Sequence, residues 1–136
     1  MIVGLDFDGT VVKHEYPKIG EPNPGAIEYI KKWVDAGGKI VLNTMRSGES
    51  LQEAVDYLKQ NGIELYGVNK NPTQEEWTTS PKVYADVYVD DAAFGCPKIY
   101  DEKTGRVYVD WRYVGPGVLM DIQEYIWQIK QTVNQK

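Results

Sequence analysis

Three short apolar runs, each passing directly into a reactive polar group, constrain this chain more than any other feature. Ile2, Val3 and Leu5 lead to Asp6 and Asp8; Ile40, Val41 and Leu42 lead through Asn43 to Thr44; Val87, Tyr88 and Val89 lead to Asp90 and Asp91. A continuous apolar run is what a strand covered on both faces requires, whereas a strand with one wet face alternates. Between the runs the spacing turns helical. Ile27, Ile30 and Val34 follow Asn23 and Pro24, a pair that predicts a cap with proline at the first helical position, and Gly37-Gly38 stops the helix. Leu51, Ala54, Val55 and Leu58 recur at i, i+3, i+4 and i+7 before Gly62, and Ile63 with Leu65 suggests a weaker third strand. This order predicts an α/β fold, a three-layer sandwich around a mainly parallel central sheet.

The remaining text reads as connections. Gly9 to Glu21, with the only histidine, His14, is expected to be a small hairpin or flap. Gly67 to Pro81, with an isolated Trp77, is a long polar loop, and Tyr100 to Val109 is a hairpin turning at Thr104-Gly105. Leu119, Ile122, Ile126, Ile129 and Val133 form an amphipathic closing helix, read as core packing with a homo-oligomer interface as the second reading. A length of 136 residues fits one domain, 1–136. With 15 Lys and Arg against 20 Asp and Glu, a net charge of −5, nucleic acid or anionic lipid is disfavoured as the main partner. Cys96 stands alone, so no internal disulfide or cysteine zinc site can form, which points to a reducing, cytoplasmic setting. No apolar run approaches the roughly 18 residues of a membrane span, and no basic leader precedes the first strand.

In open parallel sheets ligands bind beyond the carboxyl ends of the strands. Asp6, Asp8, Thr44, Asp90 and Asp91 are all expected there, and Lys82, shortly before the last strand, is long enough to reach back over that edge. Clustered carboxylates cannot all stay ionised without a cation, and hard oxygen ligands suit Mg²⁺ with a phosphate as co-ligand. A carboxylate attacks a phosphoryl dianion only when a metal and an ammonium screen the approach. Asp6, Mg²⁺ and Lys82 supply those parts. Thr44 could stabilise the equatorial oxygens, and Asp8 could protonate the leaving oxygen and later deprotonate water. Singly, Thr44 reads as a strand-end hydroxyl, Lys82 as a solvated lysine, Arg46 as a substrate contact or a surface ion pair, and His14 as an exposed side chain.

The run Asp6-Phe7-Asp8-Gly9-Thr10-Val11 resembles the first motif of the haloacid dehalogenase superfamily of phosphohydrolases. Thr44 resembles its second motif, Lys82 its third and Asp90-Asp91 its fourth. The resemblance implies a Rossmann-like fold with Asp6 as the nucleophile that forms an aspartyl-phosphate. It implies Asp8 as acid/base with its backbone carbonyl on Mg²⁺, Thr44 and Lys82 on the phosphoryl group, and Asp91 ahead of Asp90 as a metal ligand. The gaps from Thr10 to Thr44 and from Thr44 to Lys82 hold no separate cap domain, as in the capless members. His14 to Ile19, Asn69 to Trp77 and Tyr100 to Tyr108 are the candidate walls, and Arg46 a candidate bidentate contact to a second phosphate or a carboxylate. The expected function is a Mg²⁺-dependent phosphatase acting on a small phosphorylated substrate. The alternatives are a non-catalytic phospho-acceptor module, a polynucleotide-end phosphatase and a metal-dependent nuclease.

Overall fold

Residues 1–135 are described by a computed structural model. Four strands, β1 (Ile2–Leu5), β2 (Lys39–Leu42), β3 (Leu65–Val68) and β4 (Val87–Val89), form one parallel sheet in the order β3-β2-β1-β4. The register pairs Leu5 with Leu42 on one side and with Val89 on the other, so the three strands end level and discharge their polar residues at one rim. Helices α1 (Ala26–Asp35) and α2 (Gly48–Gln60) are the crossovers between β1, β2 and β3. Both steps run in the same direction across the sheet, and right-handed crossovers therefore place both helices on the same face. A hairpin of β5 (Lys98–Asp101) and β6 (Arg106–Val109) precedes the long α3 (Trp111–Asn134).

The helical face holds the core. Val3, Leu5, Ile40, Leu42 and Val89 from alternate strand positions join Ile30 and Trp33 of α1, Ala54 and Leu58 of α2, and Trp111 and Ile122 of α3 in one buried cluster. Val41, fully buried, lies outside that cluster, as its position on the opposite face requires. An irregular layer covers that second face. A Cβ on Gly4 would stand 2.9 Å from the Tyr88 ring and 3.3 Å from Ala85, and one on Gly67 would stand 3.1 Å from Pro72. Segment 69–86 thus completes the three-layer α/β sandwich expected from the sequence, organised by one amide: buried Gln74 donates to the carbonyls of Ser80 and Lys82 and accepts from the Tyr84 N–H at 2.8 Å. Among the described residues no separate cap domain stands over the sheet rim.

Local boundaries differ from the expectations in three places. Asn23 does not cap α1, which starts at Ala26 behind Gly25; its side chain turns inward and donates to the Thr10 carbonyl at 2.9 Å. The third strand begins at Leu65 rather than Ile63, because Ile63 closes the end of α2 through its N–H to Leu58 O and is buried in the core. The closing helix begins at Trp111, eight residues before Leu119, and runs through Gly115-Pro116-Gly117. Asp110 caps it by accepting from the Arg112 N–H at 3.1 Å. Packing overrides the poor helix propensity of that tripeptide: Trp33 donates its indole N–H to the Gly115 carbonyl at 2.9 Å, and a Cβ on Gly115 would come within 2.4 Å of the Tyr29 ring.

Candidate active site at the sheet rim

The turn after β1 builds one half of the site. Phe7 is buried, its carbonyl accepting the N–H groups of Thr10 and Val11, and the chain reverses with Gly9 at φ +81°. At this φ an L side chain is strained, and a Cβ on Gly9 would stand 2.5 Å from Asp91 Oδ2 and displace that carboxylate. Thr10 ties them together. Its hydroxyl donates to Asp6 Oδ2 at 2.8 Å and accepts the Asp91 N–H at 3.1 Å, while its carbonyl accepts the indole N–H of Trp111 at 2.8 Å. The hairpin stands behind this turn, with the Val109 N–H on Gly9 O at 3.0 Å and Asp101 on Lys13 at 3.2 Å.

Asp6, Asp90 and Asp91 present carboxylate oxygens that all lie within 4.8 Å of one another. Burial is the main reason the Asp6 carboxyl is pushed up to about 8, the Asp90 charge adds to it, and the Thr10 hydroxyl opposes it. Asp91 is raised as well, again chiefly by burial. Three acids at this spacing could hold a hard divalent cation, and the all-oxygen donor set fits Mg²⁺.

Asp6, Asp8, Thr44, Arg46, Asp90 and Asp91 line one open hollow of about 500 Å³, joined there by His14 and Tyr16 of the flap and by exposed Met45. Thr44 is set by its neighbours: its N–H donates to Asn69 Oδ1 at 2.8 Å, and its hydroxyl oxygen accepts the Arg46 N–H at 3.1 Å, which leaves its own proton to donate. Lys82 lies one hollow further along. Its ammonium stands 5.5 Å from the centre of the Tyr88 ring, in a space of about 550 Å³ that shares Asp90 and Ala92 with the acidic one.

Arg46 forms an ion pair, but a buried one rather than a surface one: it is 2% exposed and pairs with Asp8 at the edge of the hollow. All five of its N–H groups are engaged: two with Asp8 at 2.8 Å each, and the others with the carbonyls of Pro17, Lys18 and Ser50 at 2.9–3.1 Å. Of the three candidate walls only the flap contributes side chains to the acidic hollow; the 69–86 layer borders the adjacent one and the hairpin supports the turn from behind. The sequence marks Thr10 only by its place inside the acidic motif, and no local pattern marks Tyr16.

A parallel α/β sheet carrying an acidic rim defines the class of protein. No family model matches the chain, and no curated protein matches it. A solved structure described as that of a conserved protein from Bacteroides thetaiotaomicron is 33% identical, with a TM-score of 0.73 over 89% of this chain and 91% of that one. This chain belongs to the same family as that Bacteroides protein.

Proposed function

We propose that the chain is a phosphatase hydrolysing a phosphomonoester through an aspartyl-phosphate on Asp6. The observation that carries this reading is the meeting of Asp6, Asp90 and Asp91 with the Thr44 hydroxyl in one hollow at the ends of β1, β4 and β2. The four-motif resemblance to haloacid dehalogenase phosphohydrolases assigns the same residues. A carboxyl held near 8 is mostly protonated at neutral pH and a poor nucleophile, so activity requires a cation to offset its neighbours. Asp6, Asp90, Asp91 and the Asp8 carbonyl would hold Mg²⁺, which when bound neutralises the acids and screens the incoming phosphate.

An Asp6 oxygen attacks phosphorus in line while Asp8, which must take up a proton from solvent against its pairing with Arg46 before the step, gives that proton to the departing alkoxide. Thr44 donates to an equatorial phosphoryl oxygen, and Lys82 swings from Tyr88 across Asp90 to pair with another. Asp8, now ionised, takes a proton from the water that attacks the aspartyl-phosphate, releasing inorganic phosphate and restoring Asp6. His14 and Tyr16 face the leaving group. The open rim and the acidic charge favour a small phosphorylated metabolite in a reducing cytoplasm.

Phosphate release from p-nitrophenyl phosphate, a metabolite panel and 3′- or 5′-phosphorylated oligonucleotides, with Mg²⁺ and with chelator, is the test. Expected is turnover that needs Mg²⁺ and falls at least about 1,000-fold in Asp6→Asn, a change of charge without volume. Turnover surviving that substitution removes the nucleophile, and oligonucleotide preference moves the substrate class to polynucleotide ends.

A further inference from the structure

Arg46 binds three separate segments at once: Asp8 after β1, the flap through Pro17 O and Lys18 O, and the first turn of α2 through Ser50 O. The rings of Phe7 and Tyr16 lie 5.1 and 5.2 Å from its guanidinium carbon. A substrate anion could therefore reach it only by displacing a bond it already makes. The planar fork matters as much as the charge: Nε and Nη2 each donate to a different oxygen of Asp8, a pairing a lysine ammonium cannot reproduce. Each Asp8 oxygen has one lone pair taken by Arg46 and one left for a proton in transit.

We infer that Arg46 is a positioning residue. It fixes the Asp8 carboxylate and clamps the flap, with His14 and Tyr16, as a permanent wall of the acidic hollow, and it does not touch substrate. In this reading the flap is not a lid. The catalytic half of the inference rests on the phosphatase reading; the clamp half does not.

The test compares wild type with Arg46→Lys in two measurements. In steady-state kinetics with p-nitrophenyl phosphate and Mg²⁺, kcat of the variant falls about 10- to 100-fold, the cost of a misplaced proton donor, while KM stays within about twofold. A tenfold rise in KM with kcat intact makes Arg46 a substrate contact and overturns the inference, as do wild-type values of both in a folded variant. In limited trypsin digestion mapped by mass spectrometry, the wild type resists cleavage after exposed Lys18, before half-buried Ile19, while Lys103-Thr104 in the hairpin turn is cut. Cleavage at Lys18 becomes at least tenfold faster in the variant. Equal rates at the two bonds in wild type refute the clamp, a result that needs no variant to fold. A wild type that releases no phosphate from any substrate ends the phosphatase reading and the catalytic half with it, and digestion still decides the clamp.

Discussion

Asp6 shows how a side chain can be held against its own solvation. Its carboxyl titrates near 8 rather than at the ordinary 3.8, so the protonated form is favoured in the folded protein. The stability this contributes is complete below 3.8 and is lost as pH rises through about 8. Asp101 and Asp110 act the other way: Asp101 is lowered chiefly by the Lys103 N–H and Asp110 chiefly by Arg112, so their contributions disappear only on the acid side of 3.8. In chelator the melting temperature should therefore decline between pH 4 and pH 8. Asp6→Asn should abolish much of that decline and melt about 3–6 °C above wild type at pH 8, from ~1–2 kcal/mol of relieved desolvation and, secondarily, repulsion by Asp90. Calorimetry across that range checks it, and Mg²⁺ should raise the wild type at pH 8 more than the variant. The acids and Thr44 are legible because each closely follows an apolar run, whereas Lys82 lies five residues before β4 and stands in the neighbouring hollow. The partner of Arg46 is not legible: Asp8 is 38 positions away, and no local pattern says which carboxylate a buried guanidinium will meet.

β1, β2, β4 and the first two helices follow from periodicity, and their interiors lie where it places them; β3 overlaps its expected position only at Leu65 and extends to Val68, into the stretch read as loop from Gly67. The helix ends that moved did so through contacts between elements. Asn23 has the residue type of a cap, yet a carbonyl at Thr10, already facing Trp111, draws its amide inward. In α3 the tripeptide Gly115-Pro116-Gly117 has poor helix propensity, but a glycine is needed where Tyr29 and Trp33 of α1 press against the helix. The two glycines should consequently respond in opposite directions. Gly115→Ala drives a methyl group into the Tyr29 ring and should destabilise by about 1–3 kcal/mol through overpacking. Gly117→Ala, whose Cβ meets nothing within 4 Å, should stabilise by about 0.5–1 kcal/mol through helix propensity. Urea melts of the two variants decide it, and equal signs would show that α1 and α3 do not pack at this distance.

The molecule has two unequal sides. Three helices seal one face of the sheet in a continuous apolar cluster, while the other is closed by segment 69–86, held by the Gln74 and Asn71 amides instead of a helix. Low apolar contact makes this layer the first to open. Amide exchange should release the Thr73, Gln74 and Tyr84 N–H groups well before those of β1 and β2, and simultaneous release would mean that the two faces unfold as one unit. Among the described residues no helix is long and apolar enough to cross a membrane.

The sequence by itself determined which segments become strands and which reactive groups stand at their ends, because burial on both faces leaves a continuous apolar run that any window of the chain displays. Tertiary structure alone decided that Asp6, Asp90 and Asp91 converge within a few ångströms, that Thr10 bridges two loops, that Lys82 rests on Tyr88 in the neighbouring hollow and that Arg46 is spent on Asp8 and the flap. Those relations depend on strand order and register, which arise from the packing of the whole core and leave no trace in local spacing.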